Sequence, residues 1–173
     1  MRYLLLTIYL TVNLFSETRI EYYKDYPTKK DGTYYIKSKS NYLNGLKNGI
    51  EELYKIEALC TQVHTNNGPI IYYKMKKISY INGKKNGPSI SYSKNGEIKR
   101  SIEYKNDIRY GMATSYKLDN NKNYRNVFFQ NGKIVAERKV SLEDNIIYLI
   151  HNKVVSEKLF NQYIKEQNLS KYL

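Results

Sequence analysis

The sequence has very few of the residues that build disulfides, metal sites and nucleophilic active sites. Its 173 residues include one cysteine, two histidines and no tryptophan. Cys60 has no partner for an intramolecular disulfide, no metal cluster can be built around it, and it lies too far from the N-terminus for lipid attachment. His64 follows it by four residues, which would align the two side chains on a helix, but this segment has the character of strand and loop. We therefore expect no catalytic or metal pair here.

Two other features that often mark enzymes are also missing. The glycines lie in turn motifs that no helix follows, so the sequence has no phosphate-binding loop. Glu51 and Glu52 are adjacent carboxylates, but on a strand their side chains point to opposite faces and do not converge. The sequence therefore predicts a protein that is not an enzyme and binds no cofactor. Its mean hydropathy of −0.68 argues against an integral membrane domain.

Acidic residues are scarce relative to basic ones. Sixteen Asp and Glu stand against 29 Lys and Arg, which gives a formal charge of +13. Such a charge predicts attraction to lipid headgroups, polyanionic polysaccharide, nucleic acid or an acidic protein. A compositional bias that enriches Lys, Asn, Ile and Tyr together is the alternative explanation. The lysines are dispersed and no nucleic-acid-binding motif is present, so no specific nucleic acid is expected.

Tyrosine is abundant, with 20 residues, and part of it belongs to a repeated pattern. Residues 80–92 read Tyr-x-Asn-Gly-x-x-x-Gly-x-x-x-x-Tyr, and copies span residues 42–54 and 104–116. Partial copies lie at residues 68–73 and 129–132. Fixed internal spacing in three copies predicts a repeat protein. The turn positions of the three copies are Asn44, Gly45, Gly49, Asn82, Gly83, Gly87, Asn106, Asp107 and Gly111.

Each copy has the features of a β-hairpin. Asn-Gly between segments of alternating polarity is typical of a tight turn, because both residues tolerate positive φ. The flanks keep a period of two, as Ile78 and Tyr80 illustrate, so aromatic and β-branched residues share a face. The predicted fold is mainly β: an antiparallel β-hairpin repeat sheet over residues 17–155. The candidate binding face consists of Tyr73, Tyr80, Tyr92, Tyr104 and Tyr116.

The N-terminal residues 1–16 predict a signal peptide for export. Arg2 provides a positive start, and the uncharged apolar run 3–15 is short for a transmembrane helix. Ser16 is a small residue suited to the position before a cleavage site, and Glu17 begins the polar chain. An uncleaved anchor and a first buried strand are the alternatives.

The C-terminal part of the chain departs from the repeat pattern. Residues 145–150 form a continuous apolar run that predicts a buried strand, and residues 118–126 predict a loop or hairpin tip. Ser156 is a suitable N-cap for a helix over residues 156–168. We assign residues 156–173 to a helical segment that caps the sheet. Its apolar face consists of Leu159, Phe160, Tyr163 and Ile164.

The repeated block resembles the MORN-variant repeat family, of the kind found in YwqK-type antitoxin proteins. The resemblance rests on Tyr-x-Asn-Gly-x-x-x-Gly and on the second turn at residues 92–96, and it covers roughly residues 31–137. Asp107 and the absence of tryptophan depart from the family pattern. The resemblance implies a MORN-like hairpin sheet and a toxin-neutralising or immunity role.

Together these observations predict a non-enzymatic, exported repeat protein that binds another macromolecule in the cell envelope. A tyrosine-rich sheet face suits an interface with an unidentified protein partner. The predicted location is the periplasm, the cell envelope or the exterior. The alternative is a basic peripheral protein that binds anionic membrane surfaces.

Overall fold

The computed structural model describes residues 15–23, 35–58, 70–116, 123–141 and 143–169. Within these ranges, eleven antiparallel strands form one sheet in which every strand pairs with the next along the chain. A single helix follows them in the described residues. The predicted class, a mainly β hairpin sheet with a C-terminal helix, is therefore confirmed.

The element bounds follow the repeat closely. They are β1 (Ser16–Tyr22), β2 (Ile36–Leu43), β3 (Leu46–Ala58), β4 (Ile70–Ile81), β5 (Lys84–Tyr92), β6 (Ile98–Lys105), β7 (Ile108–Tyr116), β8 (Asn123–Gln130), β9 (Lys133–Val140), β10 (Ile146–Ile150), β11 (Lys153–Val155) and α1 (Glu157–Glu166).

Five hairpins are closed by equivalent two-residue turns. Both central residues of each turn have positive φ, between 48° and 80°, as a tight antiparallel hairpin requires. Asp107 replaces glycine in the third turn and keeps a positive φ of 68°, because Asp tolerates the left-handed region. The central pairs are Asn44-Gly45, Asn82-Gly83, Asn106-Asp107, Asn131-Gly132 and His151-Asn152.

The second glycine of each full copy forms a bulge in the strand after the turn. Residues 85–89 of β5 face only residues 78–80 of β4, and Gly87 lies within this bulge with a φ of 92°. Gly49 and Gly111 take equivalent places with φ of 98° and 68°. A side chain at such φ is strained, which explains why the pattern contains a glycine at this position.

The two faces of the sheet are packed differently. We call the face that carries Ile78 face 1 and the opposite one face 2. The central row of face 1 crosses eight strands in register, and most of its residues are buried. This row consists of Ser40, Glu51, Ile78, Ser89, Ile102, Ala113, Val127 and Glu137.

Helix α1 covers face 2 at the C-terminal end of the sheet. The Ser156 Oγ accepts a hydrogen bond from the Leu159 amide at 3.3 Å and so caps the helix N-terminus. Phe160 and Ile164, one turn apart, are fully buried. The Phe160 ring meets the Phe128 ring edge-on with 6.0 Å between centroids. The helix therefore covers the apolar face of the last strands, while β11 remains the edge strand.

Some sequence predictions differ from the structure or lie outside it. Residues 123–126 were expected in a loop but belong to β8, because Asn126 is buried and donates hydrogen bonds to Thr114 and Met112 of β7. Cys60, His64 and the apolar run 3–14 lie outside the described residues.

Candidate functional site

A row of bulges on the even-numbered strands shapes an open groove on face 1. Leu53 and Tyr54 of β3 face Lys76 and Lys74 of β4, which leaves Met75 as the extra residue. Lys99 in β6 and Tyr124 in β8 are extra residues at equivalent places. Bulges redirect side chains locally, and in this sheet all three extra residues line the same groove.

The groove has a volume of about 550 Å³ and combines basic and aromatic side chains. Tyr73 and Tyr92, both members of the predicted binding face, lie in it together. A neighbouring depression extends it past Lys94 and Glu57. The groove residues are Lys55, Tyr73, Met75, Ser91, Tyr92, Lys99, Arg100, Ser115, Tyr124 and Arg125.

A row of cations runs across the strands along this groove. Arg100 of β6 pairs in register with Ser91 on one side and Ser115 on the other, and Ser115 pairs with Arg125 of β8. The same row reaches Lys76 of β4, the register partner of Ser91. Residues paired in register share a face, so positive charges recur on every second strand from β4 to β8, and Lys139 of β9, the register partner of Arg125, adds a cation beyond them. We call Lys76, Arg100 and Arg125 the cation row.

The cations of the groove differ in whether a carboxylate neutralises them. Arg125 donates two hydrogen bonds to Glu137, at 3.0 and 3.1 Å. Lys55 forms an ion pair with Glu57 at 2.8 Å, and Lys94 contacts the same carboxylate. Lys99 and Arg100 are exposed and form no ion pair with any described residue. These two side chains can therefore bind an external anion.

Glu57 binds three side chains at one end of the groove. Its hydrogen bond from Lys55, and then those from Lys94 and Tyr73, lower the pKa of Glu57 to about 2. The Tyr73 hydroxyl donates to the carboxylate at 3.1 Å. The carboxylate is ionised at neutral pH and fixes the direction of the Tyr73 side chain.

Beside the turns on face 1, cationic side chains lie over aromatic rings. We call these pairs the cation–aromatic ladder. In each hairpin the basic residue three places after the turn asparagine lies over the aromatic ring of the next copy. The pairs are Lys47 over Tyr80 at 5.2 Å, Lys85 over Tyr104 at 5.4 Å and Arg109 over Phe129 at 5.6 Å. The backbone carbonyls of Lys47, Lys85 and Arg109 also accept hydrogen bonds from the next turn. These contacts join successive hairpins.

Tyr80 and Tyr104 are therefore engaged within the sheet. The Tyr80 hydroxyl donates to buried Glu51 at 3.0 Å, and the Ser40 hydroxyl donates to it at 3.1 Å. Burial acts to raise the pKa of Glu51, but the hydrogen bonds from Lys47 and Tyr80 leave it below its usual value. These groups stabilise the repeat sheet.

The five predicted tyrosines thus have different surroundings. Tyr73 and Tyr92 line the groove, and Tyr80 and Tyr104 belong to the ladder. Tyr116 lies at the end of β7 opposite Asn123 and does not line the described groove. Tyr124 does line it, although sequence reasoning had placed it in a loop.

The chemistry of the groove is suited to binding anions. Its side chains provide ammonium and guanidinium groups, phenol rings and the hydroxyls of Ser91 and Ser115. Within the described residues, no three His, Cys, Asp or Glu side chains gather as metal ligands. The one helix in the described residues is not long and apolar enough to cross a membrane.

Two comparisons with known proteins identify no relative of this chain. A scan against protein-family models finds no matching family, and a search of curated proteins finds no match.

Proposed function

We propose that the protein is a non-enzymatic binding protein whose groove on face 1 holds an acidic partner protein. The observation that carries this proposal is the pair of exposed, unneutralised cations, Lys99 and Arg100, beside the rings of Tyr73 and Tyr92. Arginine and tyrosine are the residue types enriched at protein interfaces. A charged groove also attracts its partner over distance and speeds association.

The construction of the sheet supports a binding role. The bulges that shape the groove are held on both sides by paired strands, and the ladder joins each hairpin to the next. The groove is therefore formed before a partner arrives. A preformed surface loses less conformational entropy on binding than a flexible one.

The proposed place of action is the cell envelope, and the proposed role is neutralisation of a toxin. The location rests on Arg2 and the apolar run 3–15, and the role on the resemblance to MORN-variant antitoxin repeats. Mass spectrometry of the protein from its native cell is expected to find an N-terminus near Glu17. An intact Met1 in a soluble cytoplasmic fraction contradicts export.

Affinity purification with matched charge variants tests the binding role. The tagged protein is used to capture partners from envelope fractions as wild type, as Lys99→Glu/Arg100→Glu, and as the control Lys133→Glu/Lys158→Glu. Both double variants change the charge equally, and the control residues are exposed outside the groove. We expect one defined protein with wild type and control but not with the groove variant, and direct binding once that protein is purified. Equal capture by all three contradicts the proposal.

The formal charge of +13 favours a second candidate, a basic peripheral protein on anionic membranes. Binding to anionic vesicles must then weaken steeply with salt, because exposed charges are screened over about 8 Å at physiological ionic strength. Sedimentation with phosphatidylserine and phosphatidylcholine vesicles measures this. Equal binding to neutral vesicles, or none to anionic ones, removes the membrane candidate.

A further inference from the structure

The cation row has a regular spacing that a ligand must match. Lys76, Arg100 and Arg125 lie on β4, β6 and β8, each separated from the next by one serine-bearing strand. Neighbouring strands are about 4.8 Å apart, so cations separated by two strands recur about every 9.6 Å. The row runs perpendicular to the strands, and a ligand that contacts all three cations must cross at least five strands.

Regular polypeptide conformations bring side chains to one side at different intervals. A β-strand brings side chains to one side about every 6.7 Å, and an α-helix brings them around about every 5.4 Å. A polyproline II segment has three residues per turn with a rise of about 3.1 Å each, so every third residue recurs after about 9.3 Å. That repeat lies within about 0.3 Å of the cation spacing.

We propose that the groove binds an extended acidic segment of a partner in the polyproline II conformation, with a carboxylate at every third residue. This inference rests on the function proposed above and specifies the form of the partner. The segment lies across β4 to β8 and directs its carboxylates at Lys76, Arg100 and Arg125. Arg100, the middle cation, forms no ion pair with a described residue and is therefore the central contact.

The aromatic residues of the groove fit the same ligand. Polyproline II segments dock in aromatic-lined grooves, because they lose little entropy on binding and their rings pack on flat aromatic surfaces. Tyr73, Tyr92 and Tyr124 line the groove from β4, β5 and β8, and all three are partly exposed. The segment has no internal hydrogen bonds, so its carbonyls can accept from the Ser115 hydroxyl. The Ser91 hydroxyl already donates to the Arg100 backbone carbonyl at 3.4 Å.

Carboxylates beside the groove disfavour other arrangements of charge. Glu57 borders one end, where Lys55 and Lys94 hold it ionised, and Glu137 lies beside Arg125. A ligand with contiguous negative charges places more of them near these carboxylates than a ligand with a charge at every third residue, whose only such neighbour is Glu137, which shares the Arg125 guanidinium. Repulsion of this kind discriminates between ligands of equal charge.

Two peptides of equal composition test the proposal. One is four repeats of Glu-Pro-Pro, and the other has the same residues with its four glutamates contiguous; both carry fluorescein. Fluorescence anisotropy with the full chain at low ionic strength is expected to show the spaced peptide binding at least about fivefold more tightly. In Arg100→Ser the preference is expected to fall below about twofold, and in the control Lys158→Ser it is expected to persist.

The outcomes distinguish failure of this inference from failure of the proposed function. Equal affinities that both weaken in Arg100→Ser overturn the spacing argument and leave an acidic partner in place. If a heparin fragment or oligothymidylate binds more tightly than the spaced peptide and needs Arg100, the ligand is another polyanion and the inference fails. If neither peptide binds while the affinity purification still captures a groove-dependent partner, the inference fails alone. Circular dichroism of each variant confirms that the sheet is intact.

Discussion

Gly87 of β5 lies directly opposite Tyr104 of β6, so the residue without a side chain faces the aromatic residue of the next copy. The same relation joins Gly49 to Tyr80 and Gly111 to Phe129. The glycine provides the positive φ that the bulge needs, and it leaves room beside the strand for the following ring. Aromatic residues across from glycine stabilise sheets, which gives a physical reason for the spacing of the repeated pattern.

The bulge glycines are predicted to be essential for stability. Gly87→Val and Gly111→Val are each expected to destabilise the protein by about 1–3 kcal/mol, because a β-branched residue is strained at positive φ. At Gly87 an added Cβ also lies 3.4 Å from the Ser79 Cβ. Exposed Lys84→Ala, the control, is expected to change stability by less than about 0.5 kcal/mol. Thermal melts in which both glycine variants match the wild type contradict the hairpin framework.

The cation–aromatic ladder is predicted to make a smaller contribution. Lys85→Ala removes an ammonium group 5.4 Å from the Tyr104 ring centroid and is expected to cost about 0.5–1 kcal/mol. Lys84→Ala is the matched control, because Lys84 precedes Lys85 in the chain and its side chain is exposed next to the turn. Urea unfolding at neutral pH measures the free energy of unfolding of both variants. Equal free energies of unfolding for the two variants mean that the ladder contributes nothing measurable.

The C-terminal helix is predicted to stabilise the sheet through one buried ring. Phe160→Ala is expected to cost about 3–5 kcal/mol, because it leaves a cavity against Phe128 and Tyr148. Leu159→Ala, at the adjacent and 49% exposed position, is expected to cost less than about 1 kcal/mol. Differential scanning calorimetry of both variants checks this. Similar melting temperatures contradict the packing of α1 on face 2.

Acid is predicted to weaken the fold in a defined range of pH. The pKa of Glu57 is lowered from 4.5 to about 2, so its contribution to stability is present above pH 4.5 and is lost as pH falls toward 2. Glu57→Gln is therefore expected to be less stable than wild type at pH 7 and to lose less stability on acidification. Glu103 is the control with the opposite sign, since burial raises its pKa and Glu103→Gln is expected not to destabilise at pH 7. Urea unfolding at pH 7 and pH 3 measures both; an identical pH dependence for Glu57→Gln and wild type contradicts the prediction.

The repeat and its turns could be predicted because their signals are local. Asn82 and Gly83 adopt positive φ for reasons carried by the two residues themselves, and Ser156 caps a helix through a contact three residues away. Local chemistry of this kind is visible in a single sequence.

The groove could not be predicted because it depends on register. Lys76, Arg100 and Arg125 are far apart in the sequence and resemble dispersed surface charges, until strand pairing brings them into one row. The bulges that add Lys99 and Tyr124 have no glycine or other local marker. The loop predicted at residues 123–126 was wrong for the same reason, since buried Asn126 donates a hydrogen bond to Thr114 on the neighbouring strand β7.

Hydroxyl-radical footprinting of the full chain with poly-L-glutamate tests most directly whether the groove on face 1 is the binding surface. Oxidation of each tyrosine is read by mass spectrometry with and without the polymer. Oxidation of Tyr73, Tyr92 and Tyr124 is predicted to fall on binding. Oxidation of Tyr22 and Tyr110, which are 46% and 38% exposed outside the groove, is predicted to stay unchanged. Unchanged oxidation of the groove tyrosines at saturating polymer, or equal protection of all five, contradicts the account.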